Sequence, residues 1–129
     1  MVLLDTCAWL WYVNGDAEQL SKPAGAAIER AGRLLVSVIS VWEVSNLVAL
    51  RRIGLSLDLD TWIERALSAD RIELAPLSVK VATESTRLPG EVHRDPADRM
   101  LIATSRACGA PVVTPDDKIR SYPHVQSVW

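Results

Sequence analysis

Four acidic residues fall where a carboxylate can do more than stay hydrated: Asp5, Glu43, Asp98 and Asp116. Carboxylates brought together repel, and each raises the pKa of its neighbours unless a cation neutralises the group. A hard divalent ion is the natural remedy. Mg²⁺ and Mn²⁺ prefer oxygen ligands, and Mg²⁺ typically takes one or two carboxylates directly while keeping several waters. Two such ions about 3.5–4 Å apart activate water and steady the leaving oxygen of a phosphodiester. Rival chemistries lack their residues: there is no Cys/His cluster for zinc, no glycine-rich phosphate loop and no Ser-His-Asp or Cys-His constellation.

Each acid also has an ordinary reading. Asp95 before Pro96 is a good N-cap followed by a proline at the first helical position, which puts Asp98 in the first turn beside the positive end of a helix dipole. Glu43 completes a Ser-x-x-Glu capping box with Ser40. Asp116 or Asp117 can cap a short last helix. Asp5 is hardest to explain away, because it directly follows an apolar run with no basic residue beside it in sequence.

The elements that must position these residues follow from periodicity and stop signals. A fully apolar strand over residues 1–4 reads as a central parallel strand. Asp5 ends it, and a helix over 7–13 follows. A second helix over 20–31 has Ser21 or a neighbour as cap, Pro23 in its first turn and Gly32 just past its end. A strand over 34–38 leads into a helix from Ser40 to Arg52, and Asp58 or Asp60 caps a helix over 61–68. A weaker strand over 72–75 precedes a helix over 78–88 with Val79, Ala82 and Thr86 on one side. The helix over 97–108 ends at Gly109, and a strand over 111–114, a short helix over 116–121 and an edge strand over 125–128 complete the chain. This alternation predicts an α/β domain with a mainly parallel sheet of four to five strands, helices on both faces and right-handed crossovers. In such a sheet, strand C-termini and helix N-termini share one edge, the ligand-binding edge, and all four acids project from it.

Composition bounds the rest. The chain has the size of one domain, 129 residues, with 49% hydrophobic and 23% charged residues and a net charge of −2. These values fit a soluble globular protein of the cytoplasm, with no signal peptide and no membrane span. Eleven of the fourteen basic residues are Arg, the side chain suited to bidentate phosphate contacts. Cys7 and Cys108 lie in apolar runs and are expected to be buried thiols. Core burial is the first explanation for Trp9, Trp11 and Tyr12, a protein partner the second and stacking on unpaired bases the third.

The strings LLDTCAWLW, SVISVWEVSNLV, HRDPADRMLIAT and VVTPDDKIRSYP resemble the successive motifs of PIN domains, specifically the VapC-type ribonuclease toxins of bacterial toxin-antitoxin pairs. The resemblance runs from Met1 to Trp129. It implies a three-layer α/β/α fold and a homodimer, with inhibition by a VapB-like antitoxin whose tail enters the active-site groove. It also implies an acidic quartet of Asp5, Glu43, Asp98 and Asp116 that holds Mg²⁺ or Mn²⁺ for RNA hydrolysis to a 5′-phosphate and a 3′-hydroxyl. Asp95, Thr6 and Thr114 take supporting positions. Cys7 stands where relatives often carry His, and Asp117 doubles the last acidic position. Arg94 and Arg99 flank the site as phosphate contacts, while His93 reads as a solvated loop residue.

Two alternative enzymes are poorer fits. A haloacid-dehalogenase-type phosphatase wants a second Asp at position 7, where Cys7 stands, and a receiver domain wants an early acidic pair and a late Lys that Lys118 hardly supplies. The non-catalytic alternative is a PIN-like module that binds RNA or protein without cutting.

Overall fold

A computed structural model describes residues 1–129. The strands β1 (Val2–Leu4), β2 (Leu34–Ser37), β3 (Ile72–Ala75), β4 (Val112–Val113) and β5 (Ser127–Val128) form one sheet in the order β3-β2-β1-β4-β5. Every pairing is parallel. The apolar run at the N-terminus is therefore the central strand, as its lack of polar alternation predicts.

Side chains alternate across the strands and both faces are covered. Val2, Leu4, Leu34, Val36 and Val113 point to one core, shared with α1 (Thr6–Asn14), α2 (Lys22–Arg30), α3 (Val38–Ala49) and α4 (Leu59–Leu67). Leu3, Leu35 and Val112 point to the other, shared with α5 (Val79–Glu84), α6 (Pro96–Cys108) and α7 (Asp117–Arg120). This is a three-layer α/β/α arrangement. Trp9 is fully buried and meets Trp62 edge-on, so core packing accounts for it, while Trp11, against Trp129, and Tyr12 stay half-buried at the margin. No helix is long and apolar enough to cross a membrane.

Several helix starts match the expected caps. Ser21 accepts from the Ala24 N–H, Asp58 from Thr61 and Asp95 from Asp98. Three expectations fail. The helix α3 begins at Val38 with Ser37 as cap, because Ser37, the buried last residue of β2, already accepts from the Ile39 N–H; Ser40 lies inside the helix and forms no capping box. In α5 the buried residues are Val81 and then Ser85 and Leu88 just beyond it, whereas Val79 is 85% exposed and Ala82 and Thr86 face solvent. Both cysteines are exposed, since Cys7 falls on the outer side of α1 and Cys108 at the end of α6.

Candidate active site

The strand order reverses direction between β1 and β4, so their C-terminal ends open the crevice at which open α/β sheets bind ligands. Asp5 sits there with no intervening loop: β1 ends at Leu4 and α1 starts at Thr6. Asp5 Oδ1 accepts from the Ala8 N–H at 2.7 Å, and Oδ2 accepts from the hydroxyl of Thr114 at 2.5 Å. Thr114 immediately follows β4 and also accepts from the Asp116 N–H at 3.1 Å, joining two of the four acids through one buried hydroxyl.

Glu43 reaches the same place from the second turn of α3. The Thr6 hydroxyl donates to its Oε1 at 2.7 Å, and the buried Ser40 hydroxyl lies 3.1 Å from that of Thr6. The expected capping role of Glu43 is replaced by this tertiary bond. Asp98 enters from the first turn of α6. Its Oδ2 is 2.8 Å from Nε2 of His93, and both side chains are about four-fifths buried (20% and 18% exposed). The loop histidine expected in solvent is thus held against the acid site.

The carboxylates act on one another. Asp5, 7% exposed, is pushed up to about 6, first by desolvation and then by the charges of Asp116 and Asp98, against the hydrogen bonds from Thr114 and Ala8. Glu43 is raised by burial and by Asp98, Asp95 and Asp5. Asp98 is raised by burial, with Asp95 and Asp116 adding to it and His93 opposing. Although Cys7 is exposed as a residue, partial desolvation around its sulfur and the charges of Asp5, Glu43 and Asp116 push its thiol up to about 11. No Lys or Arg forms an ion pair with any of the four acids. Asp116, not Asp117, belongs to this group: Asp117 is exposed and faces Arg120 at 3.6 Å.

No three His, Cys, Asp or Glu side chains are already disposed as a metal-ligand cage. The donor set nevertheless suits a hard cation. It is all carboxylate oxygen, it has no Lys or Arg partner, and Mg²⁺ needs only one or two direct carboxylates when waters complete its shell. Zinc is a poorer match, because structural and catalytic zinc sites draw mainly on Cys and His and this set is carboxylate oxygen.

The remaining predicted positions divide. Arg94 is exposed beside His93. Arg99 donates through Nε to the Ser85 carbonyl at 2.9 Å, which ties α6 to the end of α5. Sequence reasoning missed Ser40 as a member of the hydrogen-bonded set and undervalued His93. A buried serine leaves no sequence signal distinct from a cap, and the contact made by His93 depends on a loop path. A cavity of about 780 Å³ between Tyr12, Trp62, Arg65 and the loop at Leu55 lies elsewhere and shares no residue with the acids.

With this geometry in view, residues 2–125 match the model of the PIN domain family. The chain is 33% identical to Ribonuclease VapC22 of Mycobacterium tuberculosis over 130 residues, covering 99% of this chain and 98% of that protein. Among solved structures it is similar to VapBC2 from Rickettsia felis bound to a promoter DNA fragment, with TM-score 0.64, 18% identity and coverage of 98% and 97% of the two chains. It is also similar to a toxin-antitoxin complex from Klebsiella pneumoniae, with TM-score 0.66, 20% identity and the same coverage.

Proposed function

Because this chain belongs to the PIN domain family, we propose that it is a metal-dependent endoribonuclease toxin, neutralised by a cognate VapB-like antitoxin. The observation that carries this reading is the set of four carboxylates from four separate elements at the β1/β4 crevice, acting on one another and paired with no Lys or Arg. Asp5, Glu43, Asp98 and Asp116 would hold Mg²⁺ or Mn²⁺. When bound, the ion neutralises the acids, lowers the pKa of water and draws charge from a phosphodiester.

The chain's own residues set the geometry. Thr114 fixes Asp5 and the backbone at Asp116; Thr6, backed by Ser40, fixes Glu43; His93 and the Asp95-capped first turn fix Asp98. Water attacks phosphorus in line with the departing 3′ oxygen, giving a 5′-phosphate and a 3′-hydroxyl. Arg94, exposed at the rim, is a phosphate contact; Arg99 keeps that role only through the guanidinium nitrogens it does not use on Ser85.

The antitoxin assignment draws support from the VapBC2 and Klebsiella pneumoniae complexes, whose chains share this fold. A homodimer is what the family resemblance implies; Trp42 on α3 and Val79 on α5, 57% and 85% exposed, are apolar side chains that an interface would cover. The reaction belongs to the cytoplasm, where RNA and an antitoxin meet.

The test is incubation of purified protein with mixed RNA, with Mg²⁺ or Mn²⁺ and with chelator, beside Asp98→Asn. Metal-dependent cutting lost in the variant is the expected result. RNA binding without cutting by the wild type would instead establish the non-catalytic module.

A further inference from the structure

A carboxylate-rich crevice repels the backbone of any polyanion that approaches it, so an RNA strand needs cationic anchors on either side of the cleaved bond. Two basic residues near this rim are engaged, and Arg94 stands free on the His93 side of the crevice. Arg99 is tied through Nε to the Ser85 carbonyl, and Arg120 faces Asp117. Lys118 is the free cation on the α7 side. It is exposed, joins no ion pair, and follows Asp116 by two residues, its backbone N–H donating to Asp116 Oδ1 at 2.9 Å.

Lys118 also lines a recess of about 200 Å³ together with His93, Val92, Glu91, Ser121 and Tyr122. The recess lies between the segment 89–95 and α7, and His93 is the wall it shares with the acid site, through Nε2 on Asp98. The walls are held in place. The Tyr122 hydroxyl donates to the Pro89 carbonyl at 2.5 Å, Val92 packs on the core beneath, and Gly90 turns the segment with φ +68°. A positive φ of that kind favours glycine.

We propose that this recess is a substrate subsite: it seats the RNA phosphate next to the scissile one, with the Lys118 ammonium as its cationic anchor and the Ser121 hydroxyl and the His93 ring as neighbouring polar walls. The inference rests on the ribonuclease reading and deepens it. It gives the strand a path across the crevice, from the quartet past His93 toward α7. Glu91 is the one acid in the lining, so its charge works against the anchor.

The experiment uses the full chain carrying Asp5→Asn with Mg²⁺ and a fluorescein-labelled pool of short random-sequence single-stranded RNA, read by anisotropy over a salt series. Adding Lys118→Glu is expected to weaken binding about tenfold and lower the slope of log K against log salt by about one. Lys118→Gln has a smaller effect of the same sign, and Glu91→Gln tightens binding about twofold. Arg30→Glu, at the C-terminal end of α2 on the opposite edge of the sheet, is the control for loss of general charge. In the chain with Asp5 intact, Lys118→Gln raises KM several-fold and leaves kcat in place.

Unchanged affinity and salt slope in Lys118→Glu, or an equal loss in Arg30→Glu, overturns the subsite while RNA cutting by the wild type keeps the nuclease reading. A wild type that binds RNA through Lys118 without cutting removes the nuclease reading and keeps the subsite. Absence of both binding and cutting overturns both.

Discussion

The two edges of the sheet handle charge in opposite ways. At the edge where strands begin, charges are matched: Arg33 bonds Glu73 across β2 and β3 at 2.6 Å, and Arg71 donates through one nitrogen to the Ile28 and Ala31 carbonyls at the end of α2. At the edge where strands end, four acids share a partly buried crevice with hydroxyls, backbone N–H groups and one imidazole, and with no ion pair to Lys or Arg. The first edge closes helix ends that would otherwise leave carbonyls bare. The second holds like charges near each other in a form that a cation and an anionic substrate relieve. Stability is thus built at one end of the strands and set aside for chemistry at the other.

Breaking the chemical edge has the largest expected effect. Asp5→Asn removes a buried charge while keeping an acceptor for the Ala8 N–H, so RNA cleavage should fall by about a hundredfold or more. The same variant should melt several degrees higher than the wild type without metal, because the desolvated charge is gone. Lower stability in metal-free Asp5→Asn would remove the asymmetry between the edges.

Breaking the structural edge comes next. Arg71→Ala leaves the last carbonyls of α2 without their donor and should destabilise by about 2 kcal/mol, the range for hydrogen bonds to charged groups. Cleavage per folded molecule should not change. Calorimetry and single-turnover rates on the same sample separate the two.

The pH dependence sharpens the contrast. Asp5 binds its proton more tightly folded, at about 6, than at the ordinary 3.8, so the native state holds more protons between those values. Its contribution is full below about 3.8 and lost as pH rises through about 6. Metal-free protein should therefore gain about 1 kcal/mol from this group between pH 7.5 and 5.5. Glu43 and Asp98, also raised, act in the same direction. Mg²⁺ should raise the melting temperature at pH 7.5 and do less at pH 5.5, where protons compete.

The smallest effect concerns a single contact. His93→Ala frees one oxygen of Asp98 and should lower kcat about fivefold, the scale of one hydrogen bond. His93→Gln, which restores an N–H donor, should recover most of it. Calorimetric Mg²⁺ affinity is the second readout, since a purely structural histidine would leave it unmoved.

Much of this was legible in the residues. The fully apolar Val2–Leu4 run marked a central parallel strand, caps such as Ser21, Asp58 and Asp95 marked helix starts, and alternation of strand and helix put Asp5, Glu43, Asp98 and Asp116 at one edge. Those features are local or follow from the handedness of crossovers, so order in the chain carries them. Tertiary structure alone decided the strand order, the choice of Asp116 over Asp117, the pairing of Thr6 with Glu43 and of Thr114 with Asp5, and the seating of His93 on Asp98. It also turned Val79 and Cys7 outward. These contacts join residues as far apart as 5 and 114, and which partner a polar group finds across that distance depends on how the layers pack, a property that periodicity and propensity do not encode.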